Sequence, residues 1–134
     1  MAANCIALYG SLMRGLGAMD QFESAHSSLE FDGPALIPGE LFDLGAYPGL
    51  RKGPGRVLGE LYTIRKTNIL VQLDEFEGFV PDRPRESFYL RERIQLIEPA
   101  GLEAWVYFYN RTPAPDQRIV HGDWRRHRNR RVSR

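Results

Sequence analysis

An α+β domain, built around a small mixed β-barrel of five to six strands and flanked by a few helices, is the fold class this sequence predicts. Two observations carry it. Short β-prone runs punctuated by Gly and Pro lie on both sides of one well-marked helical pattern, and strands and helices show none of the regular alternation of a doubly wound sheet. A length of 134 residues suits a single core that folds without disulfides or metals.

The first strand is expected over Asn4 to Tyr9, because Cys5-Ile6-Ala7-Leu8-Tyr9 is apolar throughout and stops at a glycine turn. Mixed helical signals from Met13 to Ser28 predict one irregular helix, closed off by Ser27-Ser28 and Gly33-Pro34. Further strands are expected at Ala35-Leu36-Ile37, at Glu40 to Leu44 and at Val57 to Ile64. A well-patterned helix then opens near Thr67 or Asn68, with Ile69, Leu70, Leu73 and Phe76 at helical spacing. Tyr89 to Ile97 and Glu103 to Tyr109 read as a hairpin joined through Glu98 to Leu102.

Composition narrows the class. A 43% hydrophobic and 26% charged chain is ordinary for a globular protein, and no apolar run approaches the roughly 20 residues that span a bilayer. No Lys or Arg precedes the first apolar run, so no secretory signal is expected and the cytoplasm is the expected address. The single cysteine, Cys5, excludes an intramolecular disulfide and reads as a small core residue, and three scattered histidines offer no metal spacing. The net charge of +1 conceals an asymmetry: six of the 18 basic residues lie in Arg125 to Arg134, leaving 12 against 17 acidic residues before them. Residues 1–124 are therefore expected to form the domain and 125–134 a basic, disordered tail. Such a tail can bind nucleic acid, but without interleaved aromatics the solvated reading is favoured.

Position selects one carboxylate. At about 100° per residue, with Leu73 at zero, the apolar stripe runs from about −60° at Phe76 to about +60° at Leu70, and Glu77 falls inside it near +40°. Asp74 and Glu75 fall at the edge and on the far side. Either Glu77 faces inward, where burial would raise its pKa toward the range of a general acid/base, or the helix ends at Phe76 and Glu77 points to water from a turn with Gly78. The turn Gly10-Ser11-Leu12 offers backbone N–H groups to a carboxylate or oxyanion, or else is a routine connection with Ser11 as a cap. The tyrosines at 47, 89, 107 and 109 read chiefly as core, with some hydroxyls able to orient a small polar substrate at a cavity mouth.

Taken in order, the segments Tyr9-Gly10-Ser11-Leu12, Pro38-Gly39-Glu40-Leu41-Phe42-Asp43, Tyr47-Pro48-Gly49, Gly59-Glu60-Leu61-Tyr62, Leu73-Asp74-Glu75-Phe76-Glu77-Gly78, Ala104 to Asn110 and Gly122-Asp123-Trp124 resemble the gamma-glutamylcyclotransferase superfamily. The branch is that of small proteins that includes gamma-glutamylamine cyclotransferase and AIG2-like proteins. The likeness covers roughly residues 6 to 124, while Pro81 to Glu86 is longer and more charged than the pattern leads one to expect.

The resemblance implies cyclisation of a gamma-glutamyl group to 5-oxoproline with release of an amine or amino acid. It implies Glu77 as catalytic acid/base, and Tyr9, Gly10, Ser11, Leu12, Pro48, Tyr89 and Tyr109 as substrate-binding residues. It calls for no metal or cofactor, and for a small gamma-glutamyl substrate as partner rather than nucleic acid or membrane. A non-catalytic small-molecule binding module on the same fold is the other reading.

Overall fold

The computed structural model describes residues 4–132. Its elements run β1 (Cys5–Leu8), α1 (Ala25–Ser28), β2 (Leu29–Asp43), β3 (Pro48–Ile64), α2 (Ile69–Glu77), β4 (Tyr89–Gln95), β5 (Glu103–Tyr109), β6 (Arg118–Ile119) and α3 (Trp124–Val132). The six strands form one mixed sheet in the order β4-β5-β1-β3-β2-β6. This is the expected α+β architecture, with barrel-like curvature rather than full closure. Edge strands β4 and β6 do not pair, but the sheet curls far enough that the β4–β5 connection meets the middle of β2. There the Leu36 N–H donates to the Glu98 carbonyl, and the Ile97 N–H to that of Leu36, each at 2.9 Å.

Strand β1 explains the continuous apolar run at the start of the chain. It lies between antiparallel β3 and parallel β5, and both of its faces are covered. Cys5, Ala7 and Tyr9 enter one core cluster with Ile37, Leu50, Val57 and Val106, while Ile6 and Leu8 enter a second with Tyr62, Ile69, Leu73 and Tyr107. Helix α2 sits on that second cluster through Ile69 and Leu73, both fully buried, each worth about 2 kcal/mol of transfer free energy. Its sequence neighbour Phe76 is the less buried end of the stripe and meets Phe22 edge-on at 5.7 Å.

Four expectations change. The separate runs expected between residues 35 and 64 belong to two long paired strands, because their Gly and Pro residues mark bulges rather than ends. The register shifts between Phe31 and Gly33 and again between Pro38 and Glu40. Gly39, at φ 147°, is one such point, since a β-carbon there would lie 2.8 Å from the Arg51 carbonyl oxygen. In place of one irregular helix over 13–28, the chain makes a single 3₁₀ turn at Ala18–Gln21 and the short α1, because Gly15 and Gly17 adopt φ of 80° and 95° and interrupt it. The short edge strand β6 carries no periodic signal of its own and follows a proline-bearing turn.

The largest change concerns the basic end. The disordered tail expected over 125–134 is replaced, through residue 132, by helix α3, with residues 133–134 outside those described. Local charge opposes this helix, and remote partners hold it. Trp124, 1% exposed, is inserted into the first core cluster. The Asp123 carboxylate caps the Arg126 N–H at 3.2 Å. His127 Nε2 lies 2.8 Å from Asp43 Oδ2, and Arg125 reaches both the Arg14 carbonyl, at 2.5 Å, and buried Glu60, at 3.4 Å. No described helix is long and apolar enough to cross a membrane.

Candidate active site

Where β1 ends, the chain turns sharply through Gly10-Ser11-Leu12, closed by the Met13 N–H donating to the Gly10 carbonyl at 2.9 Å. Among the described residues the N–H groups of Gly10, Ser11 and Leu12 donate to no acceptor. Glycine is needed at the first of these, because a β-carbon on residue 10 would lie 3.0 Å from Pro48 Cγ and 3.2 Å from Cδ. Behind the turn, Glu60 holds the next residue in place. Its Oε1 accepts from the Arg14 backbone N–H at 2.8 Å and from the Tyr62 hydroxyl at 3.0 Å.

The turn and the last residues of α2 line one cavity. Helix α2 continues through Glu77 and stops at Gly78, which has φ 73° and donates its N–H to the carbonyls of Asp74 and Glu75, while Phe79 returns its N–H to Asp74 at 2.9 Å. This C-cap resolves the two sequence readings of Glu77: it is helical and half-buried, and its carboxyl enters a cavity of about 460 Å³. Tyr9, Gly10, Ser11, Leu12, Pro48 and Tyr89 line that cavity together with Glu77. Burial, assisted by the charge of Asp74, lifts the Glu77 carboxyl to about 7. Among the described residues no group hydrogen-bonds it.

Of the candidate substrate-binding residues, only Tyr109 stands outside the cavity. It packs on Tyr89 with ring centroids 5.5 Å apart and supports the wall from behind. The two tyrosines that do line the cavity use their hydroxyls on the protein itself. Tyr9 donates to the Tyr107 carbonyl at 2.6 Å and accepts from the Leu50 N–H at 3.3 Å, and Tyr89 donates to the Pro48 carbonyl at 2.6 Å. Burial raises the pKa of both phenols, so they stay neutral donors that pin the β2–β3 corner to the sheet.

Sequence reasoning missed the arrangement that holds Glu77. Asp74, placed at the edge of the helix by the wheel, is 8% exposed. Arg91 on β4 grips it with two bonds, Nε to Oδ1 at 2.7 Å and Nη2 to Oδ2 at 3.0 Å, and the Tyr107 hydroxyl donates to Oδ1 at 2.7 Å. The guanidinium also lies 4.3 Å from the Trp105 ring centroid. Burial works against the Arg91 charge, but the bonds to Asp74 outweigh it and its pKa rises. The last turn of α2 is thereby fixed to the sheet one turn before Glu77. The signal available in the sequence was Arg91 itself, a cation in the strand that follows a helix with a carboxylate near its apolar stripe.

Comparison with known proteins gives the family and the fold. The model of the family described as gamma-glutamyl cyclotransferase, AIG2-like, matches residues 6–126. The gamma-glutamylcyclotransferase family protein ytfP of Citrobacter rodentium is 38% identical over 119 residues, covering 89% of this chain and 93% of that one. The family protein YtfP of Escherichia coli K12 is 34% identical over 119 residues, covering 89% and 94%. The crystal structure of an AIG2-like protein from Mus musculus superimposes with a TM-score of 0.68 over 92% of this chain and 89% of that one, at 24% identity, a likeness of fold. By the family match and these identities, the chain belongs to the gamma-glutamyl cyclotransferase, AIG2-like family.

Proposed function

We propose that the protein cyclises a gamma-glutamyl group to 5-oxoproline and releases the attached amine, with Glu77 as general acid/base. The observation that carries this reading is that one cavity is lined both by a carboxyl lifted to about 7 and by three residues whose backbone N–H groups have no acceptor among the described residues. A carboxyl at that pKa can both take and return a proton near neutrality.

In this reading the Gly10–Leu12 amides hold the glutamyl head by its carboxylate or by the γ-carbonyl oxygen, which becomes an oxyanion on attack. Ionised Glu77 takes a proton from the α-ammonium. The freed amine attacks the γ-carbonyl carbon, a C–N bond closes the five-membered ring, and the original amide C–N bond breaks. Protons balance: the ring nitrogen gives up two, and the departing nitrogen gains two and leaves as an ammonium, with Glu77 as carrier. Water is not consumed. The ring surfaces of Tyr9 and Tyr89 and the Pro48 ring fold the glutamyl chain back on itself, and holding amine and carbonyl at attack distance removes several kcal/mol of entropic barrier.

Incubation with gamma-glutamyl amides should release 5-oxoproline, detected by chromatography with mass detection, and no free glutamate. Glutamate in its place would mean hydrolysis and overturn the reading. Gly10→Ala is expected to lower kcat/KM about tenfold with little change in thermal midpoint, since the added methyl displaces the turn from Pro48 by a few tenths of an ångström. Steady-state kinetics alongside a melting curve checks it.

A further inference from the structure

The outer part of the cavity has a chemistry of its own. Of the sixteen residues that line the whole cavity, the two with charge, Glu75 and Glu77, are both carboxylates, and no Lys or Arg is among them. The lining residues with large solvent exposure mark its opening: Tyr47 is 47% exposed, Phe76 38% and Phe88 60%, with Glu75 exposed beside them. Glu75 lies one residue before Phe76 on α2, and its side chain makes no ion pair or hydrogen bond among the described residues.

Of the arginines that follow in sequence none lines the cavity, and three have partners elsewhere. Arg83 pairs with Glu86 at 3.3 Å, Arg91 is held by Asp74, and Arg111 donates to the Ser87 and Asn110 carbonyls. The opening is thus three aromatic rings, Ala46 and a carboxylate, with no cationic side chain among the lining residues. Aromatic faces and a carboxylate together attract a cation, whereas a carboxylate brought to the same place would meet Glu75 and lose its water without a partner.

Resting on the cyclisation reading, we infer that the leaving group is an amine with a second cationic nitrogen and no carboxylate, selected at the cavity mouth by Glu75 with Tyr47, Phe76 and Phe88. With the glutamyl head on the Gly10–Leu12 amides and its amide bond beside Glu77, the departing chain has only this opening to occupy. Amino acids, whose carboxylate would stand at the mouth, are the disfavoured class.

Three amides of equal length test it: gamma-glutamyl-1,4-diaminobutane, gamma-glutamyl-butylamine and gamma-glutamyl-4-aminobutanoate, whose tails end in a cation, a methyl and a carboxylate. The expected order of kcat/KM is cation, then methyl, then carboxylate, with about tenfold or more between the extremes at low salt and less at 0.5 M NaCl. Glu75→Gln should shrink the advantage of the cationic over the neutral amide by about fivefold. A carboxylate tail cyclised as well as the cationic one, or a ratio unmoved by Glu75→Gln, overturns the selection and leaves the cyclisation reading standing. If none of the three yields 5-oxoproline, the cyclisation reading falls. Calorimetric binding of the same trio then decides the selection by itself, upheld if the cationic amide binds tightest and overturned if it does not.

Discussion

Glu77→Gln is expected to abolish 5-oxoproline release, with kcat/KM falling about a thousandfold or more, while binding of the gamma-glutamyl amide is largely kept. Glutamine preserves the volume of the side chain at the end of α2 and its approach to the cavity, but can neither accept the ammonium proton nor return it. In the proposed mechanism the ionised carboxyl is the active form. Its pKa of about 7 therefore predicts that kcat/KM climbs through the neutral range along an acid limb centred there, instead of near the 4.5 of an ordinary glutamate. A variant that retained turnover, or a wild-type limb below pH 5, would remove Glu77 from the mechanism.

The same raised pKa has a consequence for stability. The folded protein holds the Glu77 proton more tightly than the unfolded chain does. Below pH 4.5 both states carry it and nothing is lost; from 4.5 to 7 the unfolded chain ionises first and folding becomes less favourable; above 7 the full loss persists. Glu77→Gln has no such charge to desolvate. Its melting temperature should exceed that of the wild type at pH 8, and the difference should close by pH 4.5. In the proposed mechanism the residue that carries the chemistry is one whose charge costs the fold stability.

How much of this was legible in the sequence varies with the range of the forces involved. Strand β1 and helix α2 could be read directly, since a strand covered on both faces and a helix packed by Ile69 and Leu73 write their burial into local pattern. Strands β2 and β3 were read in fragments, because glycine and proline carry the same letters at a bulge as at a turn, and only the partner strand distinguishes them. Helix α3 was unreadable: its order comes from Glu60, Asp43 and the pocket that takes Trp124, none of them nearby in sequence. In the site, Glu77 was visible because one helix wheel suffices to aim it. The wheel also misplaced Asp74, whose burial depends on a guanidinium 17 residues away, and the resemblance put Tyr109 among cavity residues, whereas it packs on one of them, Tyr89, from outside the lining.

That guanidinium is the source of the largest stability effect. Arg91→Ala leaves Asp74 buried with its hydrogen bond from Tyr107 but no counter-charge, and it also removes the stacking on Trp105. Breaking a buried pair from one side costs about 3 kcal/mol, because the remaining charge keeps its desolvation penalty, and for a domain of this size the melting temperature should fall by about 10 °C. The pair also sets the field at the active carboxyl. Asp74 pushes the Glu77 pKa up, so an Asp74 stripped of its arginine should push it further and move the acid limb of kcat/KM to higher pH, whereas Asp74→Asn should move it lower. An Arg91→Ala/Asp74→Asn double variant, with no buried charge left at this point, should recover part of the lost stability and return the limb below that of Arg91→Ala. A purely structural arginine would change the melting temperature in these variants and leave the limb in place. Movement of the limb in opposite directions for the two single variants is what identifies the pair as part of the setting of Glu77.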